Sequence, residues 1–136
     1  MNFMLIRPTR ADIAAQFSLI KSAFNGVSQA KAEFDFCCDA VKTKRASFYH
    51  LKGEGVSVRF VGFVTSDNDY LILAMTGKGL VKAAPCIIEA VKSQGYRSIK
   101  YHTVRCGMVR ILERFGFSVS GKSGRESVLS LVLEND

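Results

Sequence analysis

The sequence predicts an α/β domain with a mixed-direction sheet and helices on its faces, and three observations lead there. Short apolar runs of strand length alternate with longer segments whose apolar residues recur at helical three- and four-residue steps. Gly, Pro, Asn and Asp punctuate the joins between them. One stretch, residues 69–91, passes from an apolar strand through two glycines into an amphipathic helix, and the rest of the chain is organised around it.

Residues 4–7 are apolar and lead into Pro8, which cannot sit inside a central strand, so a first strand ends there. Thr9 is the expected N-cap of a helix, with Asp12 at the capping-box spacing. Ile13, Phe17, Ile20, Ala23 and Phe24 form its apolar face, and Asn25-Gly26 stops it. A second helix is expected over residues 28–42, burying Ala30, Phe34, Cys37, Cys38 and Val41. Residues 45–52 and 56–65 read as two strands of an antiparallel hairpin turned by Gly53-Glu54-Gly55.

After the turn Ser66-Asp67-Asn68-Asp69 comes a buried strand, Tyr70-Leu71-Ile72-Leu73-Ala74, then the glycine turn Thr76-Gly77-Lys78-Gly79. A helix follows through Leu80, Val81, Ala84, Ile87, Ile88 and Val91 and ends at Gln94-Gly95. Residues 97–104 alternate as a strand, and residues 106–115 form a short helix closed by Gly116. Residues 117–120 and 127–133 are two final strands. The order is βααβββαβαββ.

At 136 residues, 48% of them hydrophobic and 23% charged, the chain is expected to be a single domain over residues 1–136 with its own core. No apolar run approaches the ~18 residues of a membrane span, and the start lacks a charged region before an apolar one, so a cytoplasmic protein without membrane attachment is expected. Cys37, Cys38, Cys86 and Cys106 form no C-x-x-C pair and, with two histidines elsewhere, no metal site; reduced, packed thiols are expected. The net charge of +7 suits a polyanionic partner such as nucleic acid, an acidic protein or a phosphorylated cofactor, but the basic residues are scattered rather than gathered in a tail.

Strand, glycine turn and helix together suit a phosphate. The first amides of a helix have no partner within it and their dipole favours an anion, while glycines remove the Cβ that would block close approach. Two nucleotide-binding patterns are excluded. Lys78 is followed by Gly79 rather than Ser or Thr, and position 82, where the dinucleotide pattern needs its third glycine, is Lys82.

The element order and three local signals resemble the GNAT superfamily of acyl-coenzyme A N-acyltransferases. Leu5-Ile6-Arg7-Pro8-Thr9-Arg10-Ala11-Asp12-Ile13 is similar to that family's first strand and its entry into the first helix. Gly77-Lys78-Gly79-Leu80 matches the glycine pair of its pyrophosphate loop, [Q/R]-x-x-G-x-[G/A]. Arg110-Ile111-Leu112-Glu113-Arg114-Phe115-Gly116-Phe117 looks like its late helix and the Gly-Phe that ends it. The resemblance spans nearly the whole chain and implies a mixed, mostly antiparallel sheet of six to seven strands with about four helices.

It further implies acetyl-coenzyme A, or coenzyme A, as cofactor. The pantetheine arm would lie where the fourth and fifth strands splay, along residues 71–75, which include Leu73, Ala74 and Met75. The amides of Gly77, Lys78, Gly79, Leu80 and Val81 would take the pyrophosphate, with Lys78 or Lys82 at a phosphate on the rim. Hydrogen bonds to a charged group contribute about 1.5–3 kcal/mol each, so three are on the order of the ~8 kcal/mol of a micromolar complex before association entropy is subtracted. The acceptor would be an amine on a small molecule or a protein. The last strands of such folds often pair between subunits, so a homodimer is one expectation.

Departures from the family pattern fall at three positions. Its [Q/R] is Ala74 here; Pro85 is expected to delay the start of the following helix and lengthen the loop; and its late-helix Tyr, often the acid that reprotonates the leaving thiolate, is Leu112. Arg105 stands where the family has Asn. His102 and Tyr101 on the fifth strand are the candidate catalytic residues, His102 as a base titrating near neutral pH. Asp69, Tyr70, His50 and Cys106 are weaker candidates. Two other readings stand beside the transferase. One is a GNAT fold that has lost catalysis and serves as a binding or structural module, which a fainter likeness to small bacteriophage-encoded GNAT-like proteins would suit. The other is a basic nucleic-acid-binding domain, resting on charge alone.

Overall fold

A computed structural model describes residues 1–133. The elements are β1 (Asn2–Leu5), α1 (Ile13–Ile20) running into a 3-10 turn (Lys21–Phe24), α2 (Ala30–Lys42), β2 (Ala46–Gly53), β3 (Val56–Val64), β4 (Asp69–Lys78), α3 (Leu80–Ser93), β5 (Ser98–Thr103), α4 (Cys106–Glu113), β6 (Ser118–Ser123) and β7 (Glu126–Val132). The seven strands form one sheet in the order β1-β2-β3-β4-β5-β7-β6. Only β4 and β5 run parallel, joined by α3 as the crossover; the other neighbours are antiparallel. The α/β class, the strand and helix counts and the element order all match the sequence expectation.

Each face of the sheet carries its own core. In β3, Phe60 and Val61 are successive residues and so point to opposite faces. Val61 packs with Phe48 and Ala74 beneath Phe17, Ile20, Phe24 and Val41 of the first helical layer. Phe60 packs with Val58, Ile72, Met75 and Ile99 beneath Ala83, Ile87, Val91 and Leu112 of α3 and α4. No helix among the described residues is long and apolar enough to cross a membrane.

Several boundaries shift from the sequence expectation, β6 running on to Ser123 rather than ending at residue 120, and four differences have a local reason. β1 occupies Asn2–Leu5 rather than residues 4–7, because its register is set by β2, with Leu5 opposite Tyr49. Thr9 does not cap α1. Asp12 takes the cap position, but Arg10 and Gln16 hold its carboxylate at 2.8–2.9 Å and no side chain caps the helix. Pro85 does not delay α3, which starts at Leu80 and carries the exposed proline inside it. A proline nitrogen cannot donate to the Val81 carbonyl, and both Val81 and Pro85 lie on the exposed side of the helix.

The fourth difference concerns the glycine turn. β4 runs to Lys78, so Thr76, Gly77 and Lys78 are strand residues opposite Arg59, Val58 and Ser57. The turn contracts to Gly79 alone, which adopts the left-handed conformation (φ 83°) and hands the chain to α3. Both glycines are required by the β2–β3 hairpin. A Cβ on Gly77 would lie 2.0 Å from the Ser57 carbonyl oxygen, and one on Gly79 3.0 Å from Val56.

Candidate active site

β4 and β5 begin together and then part. Their parallel pairing covers four positions, from Asp69 opposite Ser98 to Ile72 opposite Tyr101. Asp69 fastens the base. Its buried carboxylate accepts from Arg97 at 3.0 and 3.1 Å and from the Ser98 hydroxyl at 2.6 Å, with Lys100 at 3.3 Å. These donors, Arg97 first and Ser98 next, hold the carboxyl well below the usual carboxylate range against the opposing effect of burial. Asp69 is therefore a structural clamp.

Beyond Ile72, β4 continues to Lys78 paired only with β3, leaving its other edge open. A β-bulge lies at this point. Val61 faces Ala74 and Gly62 faces Ile72, so Leu73 has no registered partner on β3, and none on β5. The extra residue shifts the alternation by one. Tyr70 and Ile72 face α3, but the next residue to do so is Met75, while Ala74 turns into the α1–α2 core.

Two cavities lie in series along the open edge. The first, of about 320 Å³, touches the consecutive residues Leu71, Ile72, Leu73 and Ala74 together with Tyr101 and His102. Successive strand residues point to opposite faces, so a cavity touching four of them runs along the strand edge. The second, of about 230 Å³, continues past Met75, Thr76, Gly77, Gly79 and Leu80 to Arg105, Met108 and Ile111 of the β5–α4 junction. Between them the gap is pinched. The Arg105 guanidinium donates to the Ser22 carbonyl at 2.7 Å, and the Ser22 and Thr76 hydroxyls are 3.5 Å apart.

The start of α3 opens on the second cavity. The Lys82 and Ala83 amides return to the Gly79 carbonyl at 3.1 and 2.9 Å, whereas no side chain caps the amides of Leu80 and Val81. The cavity walls are apolar, with Arg105 the one cation among them. An anion carrying an apolar chain fits these residues: amides and a guanidinium for the charge, Met75, Met108 and Ile111 for the chain.

In the first cavity the His102 Nδ1 lies 2.9 Å from Glu126 Oε1. The register explains the encounter: His102 faces Val128, so Glu126 is its same-face diagonal neighbour on β7, within reach of a long side chain. Tyr101 is buried, and burial pushes its phenol above the ordinary value, so it keeps its proton at neutral pH. Leu112 shares a small interior void with Tyr101 and Met75.

Of the residues singled out by sequence, the fold brings Leu73, Ala74, Tyr101 and His102 to the first cavity and Met75, Gly77, Gly79 and Leu80 to the second. Lys78, Val81 and Lys82 line neither, and the Lys82 ammonium lies 3.4 Å from the Glu54 carbonyl. His50 pairs with Ser57 at 2.9 Å on β2, and Cys106 is exposed at the start of α4. Sequence reasoning missed Glu33, Glu126 and Ser22, and met Arg105 only as a departure from a pattern. No local signal marks the first three, because each reaches the site through a distant segment.

No protein-family model matches this sequence, and no curated protein does either. Solved structures do match the fold. An acetyltransferase of Bacillus subtilis in complex with CoA has a TM-score of 0.70 over 98% of this chain and 99% of its own, at 17% identity. An IAA acetyltransferase of Bacillus cereus gives 0.68 over 97% and 99%, at 14% identity. The ribosomal-protein-S18-alanine N-acetyltransferase of Escherichia coli gives 0.67 over 99% and 96%, at 12% identity. The chain therefore shares the fold of these acetyltransferases, at 12–17% sequence identity.

Proposed function

We propose that this protein is an acetyl-coenzyme A-dependent N-acyltransferase acting on an amine. The observation that carries the reading is the parting of β4 from β5 above Ile72 and Tyr101, with two cavities strung along the freed edge. The second cavity is the donor end. The Leu80 amide and Arg105 would hold the pyrophosphate there, and Met75, Met108 and Ile111 would flank the pantetheine arm. Arg105 supplies from the β5–α4 junction the charge that Ala74, turned into the core, does not.

Bound acetyl-coenzyme A supplies an acyl group activated as a thioester. The chain's residues do the rest. Leu73, unpartnered at the bulge, offers its backbone amide to the acyl oxygen at the junction of the two cavities. His102 takes the proton from the acceptor nitrogen at Nε2, while Glu126 orients the ring through Nδ1. Tyr101, protonated at neutral pH, holds the proton that the departing sulfur requires, in the interior beside Leu112. One N–C bond would form and one C–S bond break. The bound ammonium would lose one proton to solvent and a second to His102, and Tyr101 would give one to the sulfur. The His102 proton, passed on through solvent, would restore the phenol, for a net release of one proton.

Calorimetric titration with acetyl-coenzyme A tests the proposal, with micromolar binding expected. No heat at millimolar ligand removes it. Heat without turnover on any amine favours the second reading, a binding module that has lost catalysis, which Leu112 at the family's Tyr position supports.

A further inference from the structure

The first cavity has a charge character opposite to that of the protein. The chain carries 19 Lys and Arg against 12 Asp and Glu, yet no Lys or Arg lines this cavity and two carboxylates, Glu33 and Glu126, do. Glu126 is committed to His102. Glu33, in the first turn of α2, is exposed and has no ion-pair partner among the described residues. The wall between them is aromatic. Phe24 is buried at the back, and Phe36, with Phe63 beside it, is 46% exposed at the mouth. Arg45 lies over Phe36 but is neutralised by Asp39, so it does not cancel the cavity's negative sign.

From this arrangement we infer that the acceptor is a compact monoamine, one primary ammonium on an apolar or aromatic body, selected by Glu33 together with Phe24 and Phe36. The inference rests on the transferase reading for the cavity's role and adds to it the substrate class. One uncommitted carboxylate recognises one positive charge. A cation with several charges would leave the remainder facing a surface of net positive charge, with no acid in the cavity to meet them. The rings desolvate an apolar body and attract the ammonium through their faces. A cavity of about 320 Å³ holds such a molecule and excludes a folded protein's chain end unless it is extended.

The test uses the full chain with three probes: phenethylamine, its neutral isostere 2-phenylethanol, and spermidine. Binding of each is measured by calorimetry in the presence and absence of saturating coenzyme A, and again for Glu33→Gln. Phenethylamine is expected to bind at least tenfold tighter than either other probe. Glu33→Gln is expected to weaken it about tenfold while leaving the Kd for coenzyme A within twofold. Spermidine binding as tightly as phenethylamine, 2-phenylethanol binding equally well, or no effect of Glu33→Gln each overturns the inference. If the amine binds in a Glu33-dependent way while coenzyme A gives no heat, the substrate-class inference stands and the donor reading fails. Since Glu33 is exposed, the variant folds as the parent does, and a thermal melt confirms this.

Discussion

Ile72 and Tyr101 are the last residues at which β4 and β5 face one another, and the site begins directly above them. Below, Asp69 ties the two strands together through Arg97, Ser98 and Lys100. Above, the bulge at Leu73 and the departure of β5 into α4 leave one strand edge without a partner. A clamp at the base and a gap at the top are two halves of one device, because the gap keeps its shape only if the base does not slide.

Arg105→Ala is expected to weaken coenzyme A binding about five- to tenfold, the loss of one charge-assisted contact. It also removes the link to Ser22 that pinches the gap. Calorimetry with coenzyme A reads the first effect, and an unchanged Kd assigns Arg105 to a purely structural bridge.

His102→Ala is expected to lower kcat by about 10²–10⁴-fold, the range for a positioned general base, with coenzyme A affinity unchanged. Glu126→Gln keeps the shape but not the charge that orients the ring, and a smaller loss of about tenfold is expected. Steady-state acylation of phenethylamine measures both. Equal rates for parent and His102→Ala would exclude the imidazole as the base.

Gly77→Ala is expected to destabilise the fold by about 2–4 kcal/mol, combining a strained positive φ with overpacking against β3. The cause is the Ser57 carbonyl oxygen, 2.0 Å from where the new Cβ would sit. Urea unfolding without ligand reads it. A variant as stable as the parent that loses only coenzyme A affinity returns Gly77 to a phosphate-binding role.

Asp69 makes stability fall in acid. Its carboxyl is depressed in the folded state, so its contribution is fully present above the unfolded value of about 3.9 and is lost as pH falls from there through the lower folded value. Asp69→Ala is expected to cost about 2–3 kcal/mol, from hydrogen bonds to a charged group. Arg97 and Lys100 are partly exposed, so their released charges return to water. Urea midpoints at pH 7 and pH 3 measure this; the parent's midpoint should drop in acid more than the variant's.

The elements were legible because their signals are local. Phe17, Ile20 and Phe24 mark a helical face by spacing alone, and Val56 to Val64 mark a strand by composition. The resemblance carried by Gly77-Lys78-Gly79 and by Gly116-Phe117 led to the observed architecture even though the glycines serve the hairpin and not an open loop. Pro85 misled, since α3 carries it within the helix on an exposed turn rather than starting after it.

By itself the sequence determined which segments become helices and strands and in what order, since periodicity is written in adjacent residues. Only the tertiary structure decided where β4 and β5 part, that Leu73 bulges, that His102 meets Glu126 across 24 residues, and that Arg105 reaches Ser22 across 83. Strand register and side-chain encounters depend on segments far apart in the chain, and they are fixed only when both cores pack at once against the two faces of one sheet.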